Sequence, residues 1–395
     1  MLNNLINQKT SFIIFITIIL IFLTSGCYYI GKRIIWLIPM LETKKYYVFI
    51  TLGLFVFVQV LGPMWYRIPP WSGERPFILQ WLTYISLGFL ATVLFYFLTA
   101  ELILFLIKKV PYFSQSSDSF ENLERRVFMG VSLFSIFSAI QGTNTALRGL
   151  EVEFVEVPIK NLPLEFEGFT LAQISDLHVG PTIDRQYAQR VVDLTMNQKP
   201  DTIVLTGDMI DGYPEVLKEH LEPLKQLSAE HGVFYCTGNH EYYWGGEQWC
   251  QEFSSMGFSV LLNENRLISK GSSQICIGGL TDLRAEGFIP SHKPDINKTF
   301  KDIPKEMIKI LLVHQPGAYP YSIDAGVHLQ LSGHTHGGQF FPWNIFVALT
   351  HKFNRGLYFY KNLWVYTNRG TGYWGPPLRF GIPPEITLIK LTRGS

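Results

Sequence analysis

The feature that most constrains this chain is its apolar first third, which contains four long stretches rich in Phe, Ile, Leu and Val. A helix needs about 20 apolar residues to cross the hydrocarbon core of a bilayer. Backbone groups find no water there, so such stretches cross it as helices. We therefore expect an all-α transmembrane region over residues 1–150, with spans near residues 12–30, 46–65, 77–107 and 127–147.

Two of these spans have alternatives. The fourth carries three serines and Gln141, so it could instead be a helix lying on the membrane surface or against the rest of the chain. The first could be cleaved before Cys27 as in a lipoprotein, but we expect it to stay uncleaved because Lys32 and Arg33 follow it like an anchor.

The charges between the spans predict the topology. Cytoplasmic loops carry an excess of Lys and Arg. The loop between the first two spans carries four basic residues, Lys32, Arg33, Lys44 and Lys45. The loop between the last two spans also carries four, Lys108, Lys109, Arg125 and Arg126. The middle loop carries two, Arg67 and Arg75. This pattern places both chain ends outside the cytoplasm, and loss of the fourth span would move the C-terminal part into it. Glu101, inside the third span, is expected to reach towards the interface near Lys108.

The remaining residues, 151–395, have the composition of a soluble domain. The net charge of the whole chain is +1, which gives no reason to expect a nucleic-acid partner. The four cysteines form no Cys-x-x-Cys motif, so we interpret them as small core residues.

From Phe169 onward, β-prone apolar runs alternate with helix-like segments. Alternation of this kind predicts an α/β fold whose sheet faces are covered by helices. The predicted strands are 169–174, 202–205, 233–236, 275–277, 308–313, 327–331, 363–366 and 386–391, and the predicted helices are 185–198, 214–228 and 246–256.

Polar clusters follow five of these strands at the point where each strand ends. Ligands of α/β folds bind beyond the carboxyl ends of the strands. The residues that could converge there are Asp176, His178, Asp208, Asn239, His240, His314, His334 and His336. Each short motif alone is more often structural, and it is their joint occurrence after apolar runs that indicates a functional site.

These side chains form a set of oxygen and imidazole ligands without thiolate, which suits Mn, Fe or Zn. They are too many for one tetrahedral ion, whereas two divalent ions sharing a carboxylate would use them all. Asp208 is a natural bridge because Gly207 lets the chain turn before it. Two such ions activate a water for displacement at phosphorus. His240 would then be free to donate a proton to the leaving oxygen.

The segment Gly333-His334-Thr335-His336-Gly337 follows an apolar run directly. If the strand continued through it, both imidazoles would point at one spot, because positions i and i+2 of a strand share a face.

Together, Asp176-x-His178, Gly207-Asp208-x-x-Asp211, Gly238-Asn239-His240-Glu241, His314 and Gly333-His334-x-His336 resemble the calcineurin-like metallophosphoesterases. The form of the last motif and the tail from Arg379 to Ile386 look like the branch that includes membrane-associated bacterial enzymes such as YkuE and YaeI. The resemblance covers about residues 169–391 and implies a four-layered αββα sandwich.

The resemblance also implies roles for the site residues. Asp176, His178 and His336 would hold one metal ion, Asn239, His314 and His334 the other, with Asp208 bridging. His240 would be the catalytic histidine, oriented by Asp211. The implied activity is hydrolysis of a phosphodiester or pyrophosphate bond, with a lipid-linked substrate, as in UDP-2,3-diacylglucosamine hydrolases, as one expectation. The alternatives are a phosphomonoesterase of broad specificity and a non-catalytic membrane receptor or scaffold with a structural metal site.

Overall fold

The structure is a computed structural model that describes residues 2–65, 77–109 and 117–394, with side chains described for 17–60, 78–109 and 120–394. The chain forms two compact units, Met1–Gln141 and Gly142–Ser395. The basic residues Arg67 and Arg75, which entered the topology prediction, lie outside the described residues.

The N-terminal unit is helical. Its helices are α1 (Leu2–Leu37), α2 (Lys45–Trp65), α3 (Phe77–Lys108) and α4 (Ser117–Arg148), which ends in the second unit, and a 3-10 turn at Pro39–Lys44 joins the first two. Within the described residues, four segments are long and apolar enough to cross a membrane: Thr17–Leu37, Pro39–Val60, Ile78–Lys108 and Phe120–Arg148. Each overlaps one predicted span.

Helices of this unit pack around a core that includes Leu23, Phe97 and Phe128. Glu101 lies in this unit and forms an ion pair with Arg33 of α1, and it also accepts a 2.9 Å hydrogen bond from the Tyr29 hydroxyl. The expectation that Glu101 reaches towards the interface stays a prediction. A guanidinium on a neighbouring helix satisfies the carboxylate within the helix bundle.

The C-terminal unit alternates strands and helices. The strands are β1 (Glu151–Lys160), β2 (Thr170–Ile174), β3 (Thr202–Leu205), β4 (Val233–Tyr235), β5 (Ser259–Val260), β6 (Glu264–Lys270), β7 (Ser273–Gly279), β8 (Lys309–Leu312), β9 (Leu329–Ser332), β10 (Gly356–Tyr360), β11 (Leu363–Thr367) and β12 (Glu385–Gly394). The helices are α5 (Arg185–Asn197), α6 (Pro214–Leu221), α7 (Asn239–Tyr243), α8 (Gly246–Ser255), α9 (Ile296–Thr299), α10 (Tyr319–Asp324) and α11 (Trp343–Thr350).

The strands form two six-stranded mixed sheets. The order is β1-β12-β2-β3-β4-β5 in the first sheet and β10-β11-β9-β8-β7-β6 in the second. Strands β2 to β5 run parallel, as do β7, β8, β9 and β11, while antiparallel pairs lie towards the edges. The carboxyl ends of the parallel strands therefore meet at one edge of each sheet.

Buried side chains form three layers, one between the two sheets and one on the outer face of each sheet. Leu171 of β2 and Ile277 of β7 belong to the buried cluster between the sheets. Their neighbours face outward, Ala172 to the helical layer that contains Trp249 of α8, and Cys276 to a second outer layer. Because side chains alternate across a strand, each sheet is buried on both faces. The predicted αββα sandwich is thus confirmed.

Candidate metal centre

The predicted site residues lie in loops at the carboxyl ends of the strands, where the backbone turns abruptly. Asp176, His178, Asp208, His334 and His336 all have φ between 51° and 71°. This left-handed region costs a non-glycine residue roughly 1–3 kcal/mol and persists only where the surroundings hold it. Backbone strain concentrated at five residues in this way is typical of a functional site.

The first donor cluster joins the loops after β2 and β9. Nε2 of His178 and Nε2 of His336 lie 3.0 Å apart, and Oδ1 of Asp176 lies 3.3 Å from the His336 nitrogen. All three side chains are buried. Close approach of the two loops requires Gly333, since a Cβ there would fall 2.0 Å from Oδ2 of Asp176. The three donor atoms converge closely enough to hold one metal ion.

The second donor cluster joins the loops after β3, β8 and β9. Nε2 of His314 lies 2.9 Å from Oδ2 of Asp208 and 3.2 Å from Nδ1 of His334. The other ring nitrogen of His314 lies 2.8 Å from the Thr206 carbonyl. Donation of Nδ1–H to that carbonyl fixes the ring with Nε2 facing the cluster, as in most histidine ligands. Burial opposes protonation, but the carboxylates of Asp208 and Asp176 raise the pKa of His314 well above its usual range, so Nε2 holds a proton that a cation would displace.

The rings of His334 and His336 lie in different clusters. Strand β9 ends at Ser332, so both histidines lie beyond it, in a turn. The expectation that strand alternation points both rings at one spot is therefore wrong. The observed separation is compatible with the assignment of the two rings to different ions, which stays a prediction.

Two further observations show that these residues fit divalent cations. Oδ1 of Asn239 is buried and has no hydrogen-bond partner among the described residues, as expected of an oxygen reserved for an ion. Burial and the neighbouring His314 lower the pKa of His334 to about 3. Burial, with Arg379 nearby, holds the pKa of His336 well below its usual range. Both rings are therefore neutral, as ligands must be.

Asp211 contacts two rings. Oδ1 of Asp211 makes a short hydrogen bond with Nδ1 of His240, and Oδ2 lies 3.2 Å from Nδ1 of His178. Burial opposes ionisation, but the two rings outweigh it and lower the pKa of Asp211 to about 2. Sequence reasoning paired Asp211 with His240 alone.

His240 lies beside both clusters. Its Nε2 is 3.9 Å from Oδ2 of Asp208. Burial works against protonation, yet the carboxylates of Asp208 and Asp211 raise the pKa of His240 to about 9. His240 can therefore hold a proton at neutral pH. With Asp211 and His178 it also forms a third group of donor atoms close enough for an ion, so its role needs a direct test.

Glu241 is a functional residue to which the sequence assigned no role. Its buried carboxylate accepts hydrogen bonds from the backbone N–H groups of Gly238, Asp208 and Met209 at 2.7, 3.0 and 2.7 Å. Burial and the nearby Asp208 raise its pKa to about 7. Glu241 thus fastens the loop after β3, which carries Asp208, to the loop after β4.

Arg379 was also missed as a site residue, although it begins the quoted tail. Its fully buried guanidinium donates to the carbonyls of His336 (3.1 Å), Arg369 (2.7 Å) and Gly372. Another contact places Nη2 of Arg379 2.9 Å from Nδ1 of His336. A guanidinium can only donate, so Nδ1 accepts and the proton of the neutral His336 ring lies on Nε2. Binding of a cation at Nε2 would displace that proton. Burial of a side chain among such groups is not visible in a sequence.

We expect replacement of Arg379 by methionine to weaken metal binding by about 10- to 100-fold, the range typical of residues that orient a ligand. The His336 ring would lose the contact that fixes it. Calorimetric titration of the full chain with Mn²⁺ measures this, with exposed Arg393→Met as the matched control. Arg379→Lys keeps the positive charge but loses the planar guanidinium that makes these hydrogen bonds, so this variant should also bind Mn²⁺ weakly. Unchanged affinity in both Arg379 variants would show that the ring needs no such support.

Residues 169–338 match the family described as calcineurin-like phosphoesterase. An uncharacterized metallophosphoesterase of Campylobacter jejuni is 31% identical over 96% of this chain and 98% of its own length. The chain belongs to the calcineurin-like metallophosphoesterases. Membership of this family supports a hydrolase as the class of enzyme.

Two further relatives match part of the chain, and the name of one indicates a membrane protein. A zebrafish (Danio rerio) protein named transmembrane protein with metallophosphoesterase domain is 36% identical over 64% of this chain, which spans 60% of that relative's length. The uncharacterized metallophosphoesterase YkuE of Bacillus subtilis is 35% identical over 61% of this chain and 85% of its own. The four apolar helices and the transmembrane relative together indicate membrane association.

Proposed function

We propose that this chain is a membrane-anchored phosphodiesterase that uses two divalent metal ions. Asp176, His178 and His336 would hold one ion, Asn239, His314 and His334 would hold the other, and Asp208 would serve both. The observation that carries the proposal is the convergence of two donor clusters beside His240, whose Nε2 lies 3.9 Å from Oδ2 of Asp208. Two such ions lower the pKa of a bound water and clamp the oxygens of an in-line displacement at phosphorus.

The residues of the chain supply the rest of the chemistry. His240 donates the proton at Nε2 to the leaving oxygen, and Asp211 fixes the ring through Nδ1. Tyr243 and Trp374 surround His240, with ring centroids 5.1 and 5.8 Å away. Trp374 is 56% exposed, so this rim offers an apolar surface to the leaving group.

An amphiphilic substrate is supported by helix α11, which follows the His334–His336 segment. None of its residues is buried, and Trp343, Ile345, Phe346 and Leu349 are exposed by 44–79%. An exposed apolar surface of this kind marks an interaction site. A phosphodiester or pyrophosphate with an acyl chain would place its phosphorus at the metals and its chain against α11.

A substrate panel tests the function. The full chain in detergent, supplied with Mn²⁺, is expected to hydrolyse bis-p-nitrophenyl phosphate faster than p-nitrophenyl phosphate, and not to cleave single-stranded DNA. Preference for the monoester would favour the phosphomonoesterase alternative. No hydrolysis of any ester, including UDP-2,3-diacylglucosamine, would favour the receptor or scaffold alternative.

Variants of α11 test the amphiphilic substrate separately. Phe346→Ser with Leu349→Ser should raise KM for a long-chain phosphodiester by about 100-fold or more, since burying each apolar side chain contributes at least about 1.5 kcal/mol. The same variant should leave bis-p-nitrophenyl phosphate hydrolysis unchanged. Equal effects on both substrates would contradict a role in chain binding.

We further propose that residues 1–150 form the multi-pass membrane region and that the catalytic domain, 151–395, lies outside the cytoplasm. The basic loops support this topology. A cysteine engineered at exposed Glu230 should react with an impermeant maleimide in intact cells, because the domain faces outward. The native cysteines are all buried and should stay silent. Labelling only after permeabilisation would place the domain in the cytoplasm.

A further inference from the structure

A cavity of about 570 Å³ lies in the N-terminal unit. It opens between the end of α1, the 3-10 turn, and the starts of α2 and α4. Its volume falls in the range of small-molecule sites, about 300–1,000 Å³. Its walls combine aromatic and basic side chains, chiefly Tyr28, Lys32, Trp36, Lys45, Phe49 and Arg125.

The cavity carries excess positive charge. Three of its lining residues are basic and one, Glu42, is acidic. Lys45 is paired with Glu42 at 2.9 Å, whereas Lys32 has no carboxylate partner among the described residues and lies 5.8 Å from the Tyr28 ring centroid. An anion in the cavity would therefore neutralise the positive charge of Lys32.

Arg125 shows the same need for a partner. Its Nη2 lies 3.1 Å from Glu121, but its Nε is buried and has no hydrogen-bond partner among the described residues. A buried donor without a partner is destabilising, and an acceptor oxygen in the cavity would satisfy it. Arg33 directly follows Lys32 in the sequence, but it is already paired with Glu101 and Glu124 and needs no further anion.

The position of the cavity indicates the source of the anion. It lies where the candidate span Thr17–Leu37 ends and the candidate span Pro39–Val60 begins. Ile35 and Phe49 add apolar wall to the basic groups. The topology proposed above puts the loop between these two spans in the cytoplasm, and basic pockets between transmembrane helices on that side typically bind lipid headgroups. A lipid would place its phosphate near the cations and its glycerol and first acyl carbons along the apolar wall.

We propose that this cavity binds the headgroup phosphate of an anionic phospholipid, with Lys32 and Arg125 as its principal ligands. A lipid held there would connect α1, α2 and α4 at the membrane boundary. The site is separate from the substrate proposal, because its residues belong to the N-terminal unit and none contributes to either donor cluster.

Binding to the full chain in dodecyl maltoside, measured by native mass spectrometry, tests the site with dioctanoyl phosphatidylglycerol, dioctanoyl phosphatidylcholine and inorganic phosphate. We expect phosphatidylglycerol to bind at least tenfold more tightly than phosphatidylcholine. Lys32→Gln with Arg125→Gln should weaken phosphatidylglycerol binding by about 30-fold, since each basic residue near a membrane surface contributes roughly fivefold. The matched control is Lys44→Gln with Arg126→Gln, two exposed neighbours outside the cavity lining.

Three results would overturn the proposal: equal binding of the two lipids, equal losses in the lining and control variants, or competition by millimolar inorganic phosphate that matches the lipid. The last result would identify a site for free anions. If the double variant does not fold, as judged by its elution volume and melting temperature, Lys32→Gln alone decides the question. Lys32 is exposed, so its replacement should be tolerated.

Discussion

Replacement of Asp208 by asparagine is expected to lower kcat for bis-p-nitrophenyl phosphate by at least about 10³-fold, or ~4 kcal/mol of transition-state free energy. Its Oδ2 lies 2.9 Å from Nε2 of His314, and its Oδ1 accepts a 2.8 Å hydrogen bond from the backbone of His240. Asparagine keeps the shape but removes the charge that two cations would share. Metal content of the purified chain should therefore fall together with the rate.

The control for Asp208 is Asp193→Asn, an exposed aspartate on α5 whose loss should change neither rate nor metal content. Both variants are assayed as the full chain in detergent with added Mn²⁺. If Asp208→Asn keeps its activity, the enzyme hypothesis for this site is wrong. If it loses activity but keeps both ions, Asp208 acts on the substrate and does not bridge the metals.

Replacement of His240 by asparagine should lower kcat by about 10²- to 10⁴-fold, the usual contribution of a general acid. Metal content should stay the same, because His240 is proposed to donate a proton and not to bind a metal ion. Element analysis of the purified variant checks this point. A parallel loss of metal would instead support the third donor group, in which His178, Asp211 and His240 together hold an ion.

Asp211→Asn separates the two contacts of that carboxylate. If Asp211 served His240 alone, its loss would lower kcat and leave metal affinity intact. Because Oδ2 of Asp211 also lies 3.2 Å from His178, we expect Mn²⁺ affinity to fall as well, by about tenfold. A rate loss with unchanged affinity would make the His178 contact unimportant.

The sequence predicted the strands that are buried on both faces, because their apolar runs are continuous. Thr202–Leu205 and Leu329–Ser332 agree with the predicted runs within a residue or two. Strands with mixed patterns were missed: β1 has exposed residues along most of its length, and β6 has one buried residue. The parallel pairing of β1 with β12, the last strand, joins distant residues and leaves no local signal.

The site shows a similar division. Asp176, Asp208 and His314 stood out because each follows an apolar run and has a metal-binding side chain. Glu241 and Arg379 act through backbone groups and a ring that only the folded chain brings near them. The turn after Ser332 was not predicted, because glycines and no polar break mark the end of β9. Local patterns thus identify candidate ligands, whereas the residues that position them depend on tertiary structure.

Both donor clusters take side chains from the two sheets: Asp176, His178 and Asp208 follow strands of the first, and His314, His334 and His336 follow strands of the second. Ions held there would act as removable cross-links between the halves of the sandwich. A cation present at 100 times its Kd stabilises the folded state by about 2.7 kcal/mol for each site. The metals would then govern the lifetime of the domain as well as its chemistry, and a metal-starved cell would lose the protein through unfolding and proteolysis.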